Sequence, residues 1–107
     1  MKDVRKEHPG MPRLIVGNQR FSLGLITATP RALHALREAT TTSRELLARH
    51  ATGDWGYVHR DDVGLNETAL IDGDKISSMY PLKTGEAIWI VTNEDRSETT
   101  LMHVDDL

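Results

Sequence analysis

The stretch KISSMYPLKTGEAIWIVTNEDRSETTLMHV, residues 75–104, decides the fold. It contains three runs, KISSMYPL (75–82), AIWIVTNE (87–94) and ETTLMHV (98–104), in which the pattern repeats every second position. A period of two marks strands that turn one face to a core. Lys83-Thr84-Gly85 and Asp95-Arg96-Ser97 separate the runs, and both are short enough to fold the chain back on itself. Successive strands joined by short turns predict a three-stranded antiparallel meander.

Upstream the period is helical. Thr29-Pro30 stops the strand-like run Leu23–Ala28 and starts a helix, a hydroxyl cap followed by proline where its missing N–H costs nothing. From Pro30 to about Ala39, Ala32, Leu33, Ala35, Leu36 and Ala39 share one side. Thr42-Ser43-Arg44-Glu45 matches a capping box. It opens a helix that buries Leu46 and Leu47 and ends near Thr52, with Gly53 free to adopt the left-handed conformation. Asp61 or Asp62 is expected to cap a third helix, DVGLNETALID (62–72), with Leu65, Ala69 and Leu70 inward and Gly73 as its stop.

Residues 1–12, with two prolines, a glycine and alternating charges, read as a flexible arm, and residues 13–107 as one domain. RLIVGNQRFSLGLITAT (13–29) offers a strand, or a hairpin about Gly17-Asn18. Helices grouped before grouped strands indicate an α+β fold: an N-terminal strand, two to three helices, then the meander with helices on one face. The first strand is expected beside a meander strand.

At 107 residues, with 38% hydrophobic and 27% charged side chains, the composition is that of a globular domain. Cysteine is absent, which excludes disulfides and thiol chemistry. No apolar run reaches the roughly 18 residues that span a bilayer, and MKDVRKEHPGMPR carries no apolar segment for secretion, so a cytoplasmic protein without membrane contact is expected.

The net charge of −3 conceals an asymmetry. Residues 53–107 carry four basic and twelve acidic side chains, a balance of −8. Such a surface repels phosphate backbones and steers basic partners, so direct nucleic-acid binding is disfavoured. Asp61, Asp62, Asp72, Asp74, Glu94 and Asp95 form the expected binding set for a basic protein surface; a homodimer is a further candidate assembly.

Three stretches invite chemistry. Gly53-Asp54-Trp55-Gly56 lets the backbone bend on both sides of an indole, which drives the ring into the core, while Asp54 caps N–H groups of the turn. His50 and His59, with Asp54, Asp61 or Asp62 between or beside them, hold the inventory of a carboxylate–histidine metal site, but the spacing fits no metal motif and no metal or cofactor is expected. NEDRSETTLMH (93–103) presents Arg96, Thr99, Thr100 and His103, groups that a metal-independent, toxin-like ribonuclease would use on a phosphodiester. Turn and strand preferences account for the same residues without catalysis. A non-enzymatic binding role is the first reading and the ribonuclease its alternative.

The runs ITATPRALHAL (26–36), ELLARHATGDWG (45–56), NETALIDG (66–73) and IWIVTNEDRSETTLM (88–102), in this order, resemble a family of short proteins borne by bacterial plasmids and integrative elements, often called plasmid-related proteins. The resemblance covers about residues 23–103, and HVDDL (103–107) departs from the proline–acid–aromatic ending of the family. It implies a setting and brings no catalytic residues. An acidic accessory protein of a mobile element is expected to bind, and to inhibit, a host defence or nucleic-acid-handling complex.

Overall fold

The computed structural model describes residues 5–6 and 18–106. Strands β1 (Arg5–Lys6) and β2 (Leu25–Ala28) precede helices α1 (Pro30–Glu38), α2 (Ser43–Ala51) and α3 (Arg60–Asp72). Strands β3 (Ile76–Pro81), β4 (Ala87–Thr92) and β5 (Glu98–His103) follow, then a short 3-10 turn, Val104–Asp106. The fold is α+β, with three helices against a mixed sheet. Apart from Arg5–Lys6, which pairs with β2, the expected arm lies outside the described residues, as does the first run of the expected hairpin.

The local signals act as their chemistry requires. The Thr29 hydroxyl accepts the N–H of Ala32 at 3.1 Å, and Thr42 accepts that of Glu45 at 3.2 Å. At the end of α2 the N–H groups of Gly53 and Asp54 return to the carbonyls of His50 and Arg49, a Schellman closure made possible by Gly53 at φ 91°. For α3 the cap is His59, whose Nδ1 accepts the N–H of Asp61, in place of the expected aspartates. Starting two residues earlier puts Asp61 and Asp62 inside the first turn, where the helix dipole favours anions.

β3, β4 and β5 form the antiparallel meander, with Met79 opposite Trp89 and Trp89 opposite Met102. β2 lies beside β5, and the pair is parallel, so the sheet is mixed and its order is β1-β2-β5-β4-β3. β2 goes there because the alternatives are taken: β4 has two neighbours, and the outer edge of β3 is closed by other backbone. Met79 exchanges backbone bonds with Trp55 and Tyr57 (3.1 and 2.7 Å), and the Asn66 side chain bonds both the N–H and the carbonyl of Ser77 (3.2 and 2.7 Å). An edge strand left open would pair with other chains.

Alternate residues of the meander, among them Tyr80, Ile88, Ile90 and Leu101, are buried with Ala32, Ala35 and Leu36 of α1 and Leu46, Leu47 and Ala51 of α2. α3 packs at the β3 side, where Ala69 meets Ile76 and Trp55. Its inward residues are Asn66, Ala69 and in part Leu70; Leu65, expected inward, is 65% exposed. Asn66 takes the inward position because the β3 edge presents polar backbone, which an amide satisfies and a leucine cannot.

Gly56 is at φ 73°, and a Cβ there would sit 2.1 Å from the Met79 carbonyl oxygen. Gly64, inside α3, has nothing within 4 Å. Gly56→Ala should therefore cost at least about 3 kcal/mol, from strain and loss of the edge contact, whereas Gly64→Ala should gain about 0.5–1 kcal/mol from helix propensity. Urea denaturation of both variants measures the contrast.

Candidate functional site

The GDWG element folds as a structural bend. Trp55 is 4% exposed, lies stacked near Phe21 (centroids 6.2 Å apart) and donates its indole N–H to Glu67 at 3.2 Å. Asp54 accepts the Gly56 N–H and pairs with Arg49 at 2.7 Å, and that pair holds the Asp54 carboxyl below its ordinary range. His50 and His59 do not meet. His59 caps α3 in solvent, while His50 is wholly buried. Among the described residues, no group of three histidine, aspartate or glutamate side chains converges as a metal would need.

His50 instead belongs to a one-way hydrogen-bond chain. The Thr99 hydroxyl can only donate to the Leu23 carbonyl (2.6 Å), so it accepts from Thr92 (2.7 Å). Thr92, its proton spent, accepts from His50 Nε2–H (2.9 Å), which leaves Nδ1 to accept from Ser78 (2.6 Å). The tautomer follows from the geometry. A second ring proton would oppose the Ser78 proton, and burial, with the Arg96 charge adding to it, lowers the His50 pKa to about 3.

The groups of the ribonuclease alternative do not share a site. Arg96, at φ 61°, turns its guanidinium onto the end of α3, donating to the carbonyls of Asp74 (2.6 Å), Ala69 (2.9 Å) and Asn93 (3.0 Å). Thr99 is buried in the chain of hydroxyls just described. Thr100 points to the opposite face of the sheet and bonds Thr27 at 3.0 Å. His103 is 3% exposed; its Nδ1 accepts the Asp105 N–H, so its Nε2–H donates to Glu86 at 3.0 Å. Neither ring nitrogen of His50 or His103 is left to take a proton from a substrate.

Asp61, Asp62, Asp72, Asp74, Glu94 and Asp95 are all exposed. The Arg96 bridge places Asp72 and Asp74 beside the turn that holds Glu94 and Asp95. Asp61 and Asp62 stand at the other end of α3, about 17 Å away by helix rise. The set thus runs along one helix with a cluster at its C-terminal end. Asp61 faces His59, whereas among the described residues Asp62, Asp72, Asp74, Glu94 and Asp95 form no ion pair.

Sequence reasoning missed the apolar part of this surface. Asp61, Leu65, Thr68 and Asp72 follow at i, i+4, i+7 and i+11, one solvent-facing stripe, and Ile71 flanks it at 86% exposure. The signal was present: Val63, Leu65, Leu70 and Ile71 surround the helix, more than one buried side can use.

No family model, curated protein or solved structure matches this chain. No helix among the described residues is long and apolar enough to cross a membrane.

Two outcomes test these assignments. Arg96→Ala should lose about 2–4 kcal/mol of stability in denaturant, and Arg96→Lys should not restore it, since an ammonium cannot span three carbonyls held by a planar fork. For His50, the unfolded state takes a proton below about pH 6.5 while the native state refuses it down to about pH 3, so stability falls as pH drops through that window. Between pH 7 and 5 this group should remove about 2 kcal/mol, a loss that urea titrations would find diminished in His50→Gln.

Proposed function

We propose that the solvent side of α3 is a docking surface through which this protein binds a basic, partly apolar surface of another protein. The observation that carries the reading is the combination, on and just beyond one helix, of Asp62, Asp72 and Asp74, which form no ion pair among the described residues, with Leu65 and Ile71 standing in water. Each half costs something to an isolated molecule. Asp72 lies at the negative end of the α3 dipole, an end that the Arg96 guanidinium offsets only from outside the helix. Exposed leucine and isoleucine side chains gain nothing until they are covered.

A partner with lysines or arginines around an apolar centre would answer both. The acids would speed and orient the encounter, and the apolar side chains would supply the affinity of the bound state. Such a surface occurs on proteins that handle nucleic acid, since the same positive potential attracts phosphate and carboxylate. The resemblance to plasmid- and element-borne proteins supports the setting: an accessory factor that occupies such a site on a host defence or nucleic-acid-handling complex and inhibits it in the cytoplasm. No cofactor enters this mode of action.

Two variants separate the contributions. In Asp61→Asn/Asp62→Asn/Asp72→Asn/Asp74→Asn, capture of partners from host lysate should weaken by about tenfold or more at low salt, with the loss shrinking as salt rises. Leu65→Ser/Ile71→Ser should weaken capture at every salt concentration. Partners held equally by both variants and by the wild type would overturn the reading.

A further inference from the structure

The side of the sheet turned away from the helices carries a methionine–tryptophan–methionine row. Met79, Trp89 and Met102 stand directly opposite one another across β3, β4 and β5. Strand alternation points them, with Ala87 and Val91, away from the face on which Tyr80, Ile88, Ile90 and Leu101 meet the helices. All five of these outward residues are half-buried. On β2 to β5 this face holds one charged side chain, Glu98, bonded to Thr27 and four residues along β5 from Met102; the basic strand Arg5–Lys6 lies beyond β2, at the sheet edge remote from Trp89.

We propose that this face is an interface between two copies of the chain. Twofold pairing sets a surface against itself, so any charge near the axis meets its own kind. That condition rules out the α3 side, with its carboxylates, and is met by the uncharged row centred on Trp89. The second half of the chain is acidic elsewhere, so the sheet face is where identical copies approach with the least repulsion. A central indole supplies a large rigid contact, and flexible thioethers on both sides fill the space around the opposing ring.

Size sets the strength. Four strands about 4.8 Å apart and six residues of about 3.3 Å give a footprint of roughly 400 Å2, below the approximately 800 Å2 per partner of a standard stable pair. The dimer is therefore a weak one whose population depends on concentration.

Sedimentation equilibrium on the full chain across micromolar to millimolar concentrations tests this, with acrylamide quenching as a second readout. Trp55 is buried, so quenching of the accessible indole reports Trp89. The mass should rise from 12.0 kDa toward twice that value, and Trp89 should become protected over the same range. Trp89→Lys should raise the dissociation constant roughly thirtyfold or more, with far-ultraviolet circular dichroism unchanged. Met102→Lys does the same duty if the first variant fails to fold, and Leu65→Ser on α3 should leave association intact.

Three results would overturn the proposal. A constant protomer mass with Trp89 shielded would assign the face to residues of the same chain, and a constant protomer mass with Trp89 open would assign it to a different protein. Dimers that form equally well in both lysine variants would place the interface elsewhere.

Discussion

The chain of donors from Ser78 through His50, Thr92 and Thr99 to the Leu23 carbonyl holds α2 in register with three strands at once. Hydrophobic packing alone tolerates sliding; Leu46, Leu47, Ile88 and Ile90 would bury as much area after a small shift of the helix. Four bonds with a single permitted direction do not tolerate it, because a shift leaves buried donors and acceptors unpaired, at about 1–3 kcal/mol each. The aromatic shell depends on the same ring. Phe21 and Trp55 both approach His50 edge to face, at 5.2 and 6.1 Å, so the imidazole positions the helix–sheet junction as well as the helix.

The meander, the first two helices and the bend at Trp55 were legible in the sequence because each is set by neighbours within a few residues. Thr29-Pro30, Thr42 to Glu45 and Gly53 declare helix ends by chemistry that needs no tertiary partner. What was not legible depends on long-range closure. The parallel placement of β2 follows from which sheet edge remains open, and that is decided by contacts of Gly56 and Asn66 with β3. Asn66 takes the inward place expected of Leu65 for the same reason. Hydrophobic periodicity assumes that a helix faces an apolar surface, and α3 faces the backbone of an edge strand.

The candidate site divides in the same way. The exposure of the six acids could be read from composition, and the structure finds each of them at the surface. The reading of Arg96 as a phosphate-binding group had the right chemistry, a planar donor fork, without the information that carbonyls at the end of α3 would fill it. Its guanidinium meets the negative end of that helix, a role that Asp72 at the same end partly works against. Thr99 and Thr100 are adjacent in sequence, which puts them on opposite faces of a strand, so no turn geometry could have brought both to one substrate.

The arrangement leaves the molecule with two surfaces of opposite physical character. The α3 side carries Asp62, Asp72 and Asp74 without ion partners among the described residues, and the opposite sheet face carries an indole and two thioethers with one charged side chain on β2 to β5. Their separation has a structural cause: the acidic residues of α3 stand on a helix packed at the β3 edge, while the sheet face turned away from α1 and α2 is built from alternate positions of the strands. A partner attracted by carboxylates and a copy packed through the Trp89 row would therefore not compete for area. Pairing through the sheet would present two α3 stripes on opposite sides of one particle, and a weak docking contact repeated twice gains avidity wherever the target surface is itself repeated.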